Sequence, residues 1–137
     1  MSEEYKVALG LCTYSFAYLE SMVINYFEKL EPGITNRIKR KRHTAGQVAR
    51  KFNNRVKRLP ESDEADELKQ LAQMFEDLVN EKRNSIFHAK PHTNIDGQQR
   101  LYNENSIEIE DLQNAADSFA TCVIGLSKLY DTHRRLG

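Results

Sequence analysis

Arg83-Asn84-Ser85-Ile86-Phe87-His88 is the stretch whose residue types suit a reaction. A histidine with a near-neutral pKa can take the proton of a ribose 2′-hydroxyl or give one to a leaving 5′-oxygen. An arginine can clamp the charge that develops on a phosphorane. An asparagine can fix an imidazole or a phosphate by hydrogen bonds. Together these groups suit RNA cleavage without a metal. On one continuous helix, Asn84 and His88 share a face at i, i+4. Arg83 is roughly 140° round from His88 on an ideal helix. The two therefore meet only if the helix unwinds before His88 or a second subunit supplies one of them. The plainer alternative is a helix-terminal histidine favoured by the dipole and an arginine covering apolar surface. On spacing alone, that alternative weighs more.

Other chemistries find less support. His88 and His92 are four apart, but Pro91 lies between them, so they share no helical face. The chain has no HExxH, no CxxC, no Gly-rich phosphate loop and no GxSxG elbow. No metal site and no cofactor is expected. Cys12 and Cys122 fall on or beside apolar stripes, which points to reduced core thiols and a cytoplasmic setting.

The elements that must hold the motif are helices. The first runs from about Glu3 to Leu30, with Cys12, Phe16, Leu19, Val23, Tyr26, Phe27 and Leu30 in one stripe. Pro32-Gly33 ends it. A second stripe, Val7, Leu11, Tyr14 and Tyr18, is either another packing contact in the chain or a subunit interface. Glu20 sits at the edge of the main stripe, placed to orient an arginine or simply to reach water. Thr44 and Gln47 form a capping box for the second helix, whose apolar face is Val48, Phe52, Val56 and Leu59. Residues 34–43 read equally as loop or helix. The third helix starts near Ser62 and ends between Phe87 and Lys90, because Pro91 pushes its predecessor out of the α region. Residues 91–106 are polar, with an Asp96-Gly97 turn, so a hairpin pairing Thr93–Ile95 with Arg100–Tyr102 is possible. The last helix runs from about Ile109 to Arg135 on the stripe Leu112, Ala116, Phe119, Val123, Leu126 and Tyr130. These segments predict an all-α, four-helix up-and-down bundle in one domain, with a polar loop or small hairpin before the last helix.

Charge is unevenly spread. The net charge is zero, yet ten of the 20 basic residues fall between 37 and 58 with no acid among them. That segment is either a solvated face or a phosphate-binding surface. Arg50, Lys51 and Arg55 lie on the flanks of the second helix and are its candidate RNA contacts. The 137 residues, 39% hydrophobic and 29% charged, suit one folded domain rather than a disordered chain. Two cysteines exclude a disulfide scaffold, and six glycines with three prolines disfavour a turn-rich β fold. Uninterrupted apolar runs are short, so no membrane-crossing helix is expected. The first residues lack the pattern of a secretory signal.

Arg83-Asn84-x-x-x-His88, late in a long helix, resembles the signature of the HEPN superfamily: an arginine, commonly an asparagine, then a histidine. Ser15–Val23, His43–Val48 and Asn105–Ala115 also look similar to that family's helix starts and first helix. The resemblance implies a helical bundle that usually dimerises, with two motifs lining a cleft at the interface. It implies a metal-independent RNA endonuclease, acting as a toxin beside a cognate antitoxin or in phage defence. On this carry-over His88 is the acid–base residue, Arg83 stabilises the phosphorane, and Asn84 positions His88 or a phosphate. Glu20 is a weaker candidate for holding Arg83, and Lys90, His92 and Tyr102 for contacting RNA. Two rival readings stand. One is a catalytically silent HEPN module that binds a protein or nucleotide. The other is a nucleic-acid binder using only the basic segment.

Overall fold

Helix α1 spans Glu3–Leu30 in the computed structural model, which describes the backbone of residues 1–136 and the side chains of residues 1–132. The Ser2 hydroxyl caps it by accepting from the Tyr5 amide at 3.1 Å, and Glu3 and Glu4 face the positive end of its dipole. Pro32-Gly33 turns the chain, with Gly33 at φ 94°. The ambiguous stretch that follows is helical: α2 covers Ile34–Lys41. Its start is held by Glu28, whose carboxylate accepts from the Gly33 and Thr35 amides at 2.7 and 3.0 Å. Those two amides hold the Glu28 carboxyl below its ordinary pKa. A side chain seven residues away thus decided a segment that local pattern left open.

Helix α3 spans Ala45–Lys57, and its capping box is complete. The Gln47 amide donates to Thr44 Oγ1 at 3.2 Å, and the Thr44 amide donates to Gln47 Oε1 at 2.8 Å. Helix α4 spans Asp63–Leu78, capped by Ser62. Asn53, buried on α3, ties the two together by donating to Gln73 Oε1 at 3.0 Å and Glu76 Oε2 at 3.3 Å.

The third predicted helix is not one α-helix. After Leu78 the chain takes a π turn over Val79–Arg83 and resumes as α5 over Asn84–Phe87. His88 ends it at φ −97°, ψ 4°, near the bridge region. Three strands follow, β1 Lys90–Thr93, β2 Gln99–Asn103 and β3 Asn105–Ile107, antiparallel in the order β1-β2-β3. The hairpin register pairs Thr93 with Gln99 and Lys90 with Tyr102, so pairing begins three residues earlier than the Asp-Gly signal alone suggested. The third strand arises from a tight turn at Glu104, which takes φ 64° between the paired residues Asn103 and Asn105. The fold is therefore mainly helical with a small sheet.

Helix α6, Ile109–Leu136, packs along α1. Its buried line is Leu112, Ala115, Phe119, Cys122, Leu126 and Leu129. That is turned from the expected stripe, so Ala116, Val123 and Tyr130 are only partly buried and Cys122 is central rather than marginal. The core converges on Phe16. Its ring lies 6.3 Å from Phe75, 5.3 Å from Phe119 and 5.6 Å from Phe87. Tyr5 pins the sheet to α1 by donating to the Ile107 carbonyl at 2.7 Å and accepting from the Leu101 amide at 3.0 Å.

By length and composition α1 is apolar enough to cross a membrane, with a mean hydropathy of 1.5 in its most apolar window. Short runs alone understated this, because the polar interruptions are small. One stripe of α1, from Tyr5 to Phe27, is in the core. The second is uncovered by the rest of the chain: Val7 and Leu11 are each 58% exposed and Tyr14 is 67% exposed. It lies roughly 135° round the helix from the core stripe rather than adjoining it. This excludes the intrachain packing alternative for these residues.

Candidate functional site

Arg83 is the last residue of the π turn. Four residues after Val79 and three before Ile86, both buried, it falls on the inward side of its helix. Its guanidinium therefore turns towards α1 and lies 5.5 Å from the Phe16 ring centre and 4.7 Å from that of Phe87. Arg83 Nη1 donates to Asn84 Oδ1 at 3.1 Å. Arg83 Nε is sealed from solvent and has no hydrogen-bond partner. A buried donor without a partner costs about 1–3 kcal/mol, so this atom is primed to gain an acceptor.

Glu20 is half-buried and faces this charge. Burial pushes its carboxyl pKa up, and the Arg83 cation pulls it back in part. Among the described residues the two form no ion pair. Helix phase thus correctly placed Glu20 beside Arg83, in electrostatic contact but short of a salt bridge.

The Asn84 carbonyl is engaged by Arg83 rather than by His88. His88 is tied to Asn84 only through the backbone, its amide donating to the Asn84 carbonyl at 3.1 Å. The imidazole is exposed at the helix end. The helix does stop at His88, the condition under which Arg83 and His88 can approach. The expectation that both lie clear of the apolar stripe holds for His88 and fails for Arg83, whose side chain packs on two phenylalanines.

The sheet extends the surface. Asn103 Nδ2 donates to the Ser85 carbonyl at 3.0 Å, fastening β2 to α5. Ile107 is buried and pairs with Leu101, so that face turns inward. Lys90, His92, Tyr102 and Ser106 occupy the other face by register. His92 Nε2 lies 3.1 Å from Ser106 Oγ, and its ring centre is 5.1 Å from that of Tyr102. Sequence spacing missed this His92–Ser106 pair, because the register and the third strand together create it. Arg100 is buried on Tyr5 and pairs with Glu108 at 3.1 Å, which holds the Glu108 carboxyl below its ordinary pKa.

The basic candidates are divided. Arg50 is exposed and stands alone. Arg55 is half-buried, donating to the Leu30 carbonyl at 3.0 Å, and Lys51 lines the same recess. His43 is also there, half-buried, with its pKa lowered by desolvation and then by Lys51 and Lys41. Burial pushes the Cys12 and Cys122 thiols up to about 11 and about 12, which leaves them poor nucleophiles. Among the described residues no cluster of His, Cys, Asp and Glu has the makings of a metal site.

Comparison with protein-family models, curated proteins and solved structures finds no match for this chain.

Proposed function

We propose that this chain is a HEPN-type RNA endonuclease, a four-helix bundle with an inserted sheet, that cuts RNA without a metal ion. The observation that carries the reading is Arg83. It is a cation fixed between two aromatic rings, with one donor unfilled, at the turn that leads to an exposed histidine. A developing phosphorane supplies the acceptors such a group lacks. In the proposed reaction the ribose 2′-oxygen attacks phosphorus and the bond from phosphorus to O5′ breaks. His88 exchanges the protons of the attacking and leaving oxygens. The products are a 2′,3′-cyclic phosphate and a 5′-hydroxyl. Lys90 and Tyr102, on the adjoining sheet face, bind the strand. Arg50, Lys51 and Arg55 add affinity.

A homodimer belongs to the proposal. The uncovered α1 stripe offers an apolar face for a second copy. Glu20 lies roughly 150° round α1 from that stripe. A cleft shared by two motifs therefore calls for a further contact through Phe87, His88 and Tyr102. A cytoplasmic location and a role as toxin or defence nuclease, with or without a cognate antitoxin, go with this reading.

The direct test is incubation of single-stranded RNA with the purified chain in EDTA. The wild type should cleave it and leave DNA intact, because DNA lacks the attacking hydroxyl. Folded His88→Ala should be inactive. Equal cutting by His88→Ala, or loss of cutting in EDTA, would sink the mechanism. A silent binding module is the second reading. It is favoured by the engagement of Asn84 with Arg83, since no side chain then orients His88. It predicts RNA binding without products.

A further inference from the structure

The basic segment hides an arrangement that its sequence does not suggest. Glu31, the residue that ends α1, stands among three arginines. Its carboxylate is 3.3 Å from Arg37 of α2, 3.7 Å from Arg55 of α3 and 3.8 Å from Arg58 beyond it. Lys41 and Lys51 complete the rim and make no ion pair among the described residues. Together these side chains surround a recess of about 230 Å³ floored by Phe27 and Ile34. Five cations face one carboxylate there. At the rim, His43 Nδ1 is sealed from solvent and has no hydrogen-bond partner.

We infer that this recess is a binding site for a phosphate monoester. One carboxylate has two oxygens, and all three of its guanidinium distances exceed the 2.7–2.9 Å typical of a charge-assisted hydrogen bond. Glu31 therefore leaves the arginines under-filled. A phosphate dianion carries twice the charge and spreads three terminal oxygens over a tetrahedron, which suits guanidinium forks converging from three elements. The recess has room for a phosphoryl group and part of its attached sugar, not for a continuous strand. That favours a terminal phosphate, whether of a free mononucleotide or of an RNA 5′ end. Glu31 is then an internal stand-in. It keeps the cations gathered when the site is empty and competes with the ligand when it arrives. The site is separate from the Arg83–His88 surface, and it does not rest on the ribonuclease reading.

The test is calorimetric titration of the full chain with inorganic phosphate and with adenosine 5′-monophosphate. A third arm gives the His88→Ala chain, which cannot cut, a short RNA with either a 5′-phosphate or a 5′-hydroxyl. Saturable binding of the free phosphates assigns a small-molecule ligand. Preference for the 5′-phosphorylated RNA over its 5′-hydroxyl form assigns an RNA end. Lys51→Glu should weaken whichever binding is seen by about tenfold or more, while Glu31→Gln should strengthen it by about the same factor. Glu61→Gln makes the same charge change outside the recess and should do neither. The proposal fails if no arm saturates, or if Glu31→Gln and Glu61→Gln act alike. If Glu31→Gln proves unfolded in a thermal melt, Lys51→Glu decides alone, and unchanged affinity overturns the site.

Discussion

Arg83 and Phe87 stand four residues apart, and the guanidinium of the first lies 4.7 Å from the ring centre of the second. Phe16 closes the same cation from α1, at 5.5 Å. The arginine is thus both part of the packing and the strongest candidate for the chemistry, and its two roles can be measured apart.

Arg83→Ala should lower stability by about 1–2 kcal/mol, from lost packing and cation–π contact. It should also lower RNA cleavage by about 10²-fold or more. Arg83→Lys should recover much of the stability and little of the activity, because an ammonium lacks the planar fork. His88→Ala, at an exposed position, should leave the melting temperature unchanged and lower cleavage by about 10²- to 10⁴-fold. Paired melting curves and cleavage rates check all three. Full activity in Arg83→Lys would remove the clamp from the mechanism.

Glu20 should leave a mark on the pH dependence of stability. Its folded pKa is raised above the ordinary 4.5, so the native state holds its proton to higher pH than the unfolded chain. Stability is then lost as pH rises from the ordinary value through the raised one. Glu20→Gln mimics the protonated acid and should flatten that fall. Urea midpoints for the two proteins should nearly agree at low pH and separate in favour of Glu20→Gln towards pH 7. A gap that shrinks as pH rises would reverse the assigned sign.

The α1 stripe should hold a dimer together. A stable interface buries on the order of 1,200–2,000 Å² in total. Leu11→Glu places a charge in its middle and should give a particle of 15.9 kDa by light scattering at concentrations where the wild type is twice that mass. Because Glu20 and Arg83 face another side of α1, cleavage per chain should survive the change. A wild type that is itself a monomer at micromolar concentration ends the dimer proposal.

Neutralising Arg50 and Lys51 should weaken RNA binding and make its salt dependence shallower by about two, roughly one for each lost phosphate contact. Adding Arg55→Ala should also cost stability, since that side chain caps the Leu30 carbonyl at the end of α1. Filter binding over a range of salt, beside a thermal melt, separates the two effects. An unchanged slope would mark the segment as a solvated face.

The capped helices were legible in the sequence because their signals are local. Ser62 and the Thr44–Gln47 box sit within one turn of what they cap. The main stripe of α1 and the apolar face of α3 were legible for the same reason, as period and burial coincide. What escaped depends on partners distant in the chain. The α2 start needs Glu28, and the His92–Ser106 pair needs a register set across three strands. The π turn left no mark, since Leu78, Val79 and Ile86 keep an α-like spacing across it. The approach of Glu20 to Arg83 followed from helix phase. The sandwiching of Arg83 by Phe16 and Phe87 did not, although Arg83 stands midway between the buried Val79 and Ile86. Arg50, Lys51 and Arg55 looked equivalent on a helix flank, and only tertiary neighbours separate the first from the other two.

Tyr5 reaches across about a hundred residues to hold both the Leu101 amide and the Ile107 carbonyl. The sheet beside the candidate site is therefore not fastened until the two ends of the chain have met. A ribosome exposes Arg83 and His88 before it has made the strands that Tyr5 must join. Non-local closures of this kind come late in folding, after helices and turns have formed. A nascent chain thus carries the reactive groups but not the surface beside them, and translation nears its end before that surface is in place. For a protein that cuts RNA, such timing spares the message from which it is being made.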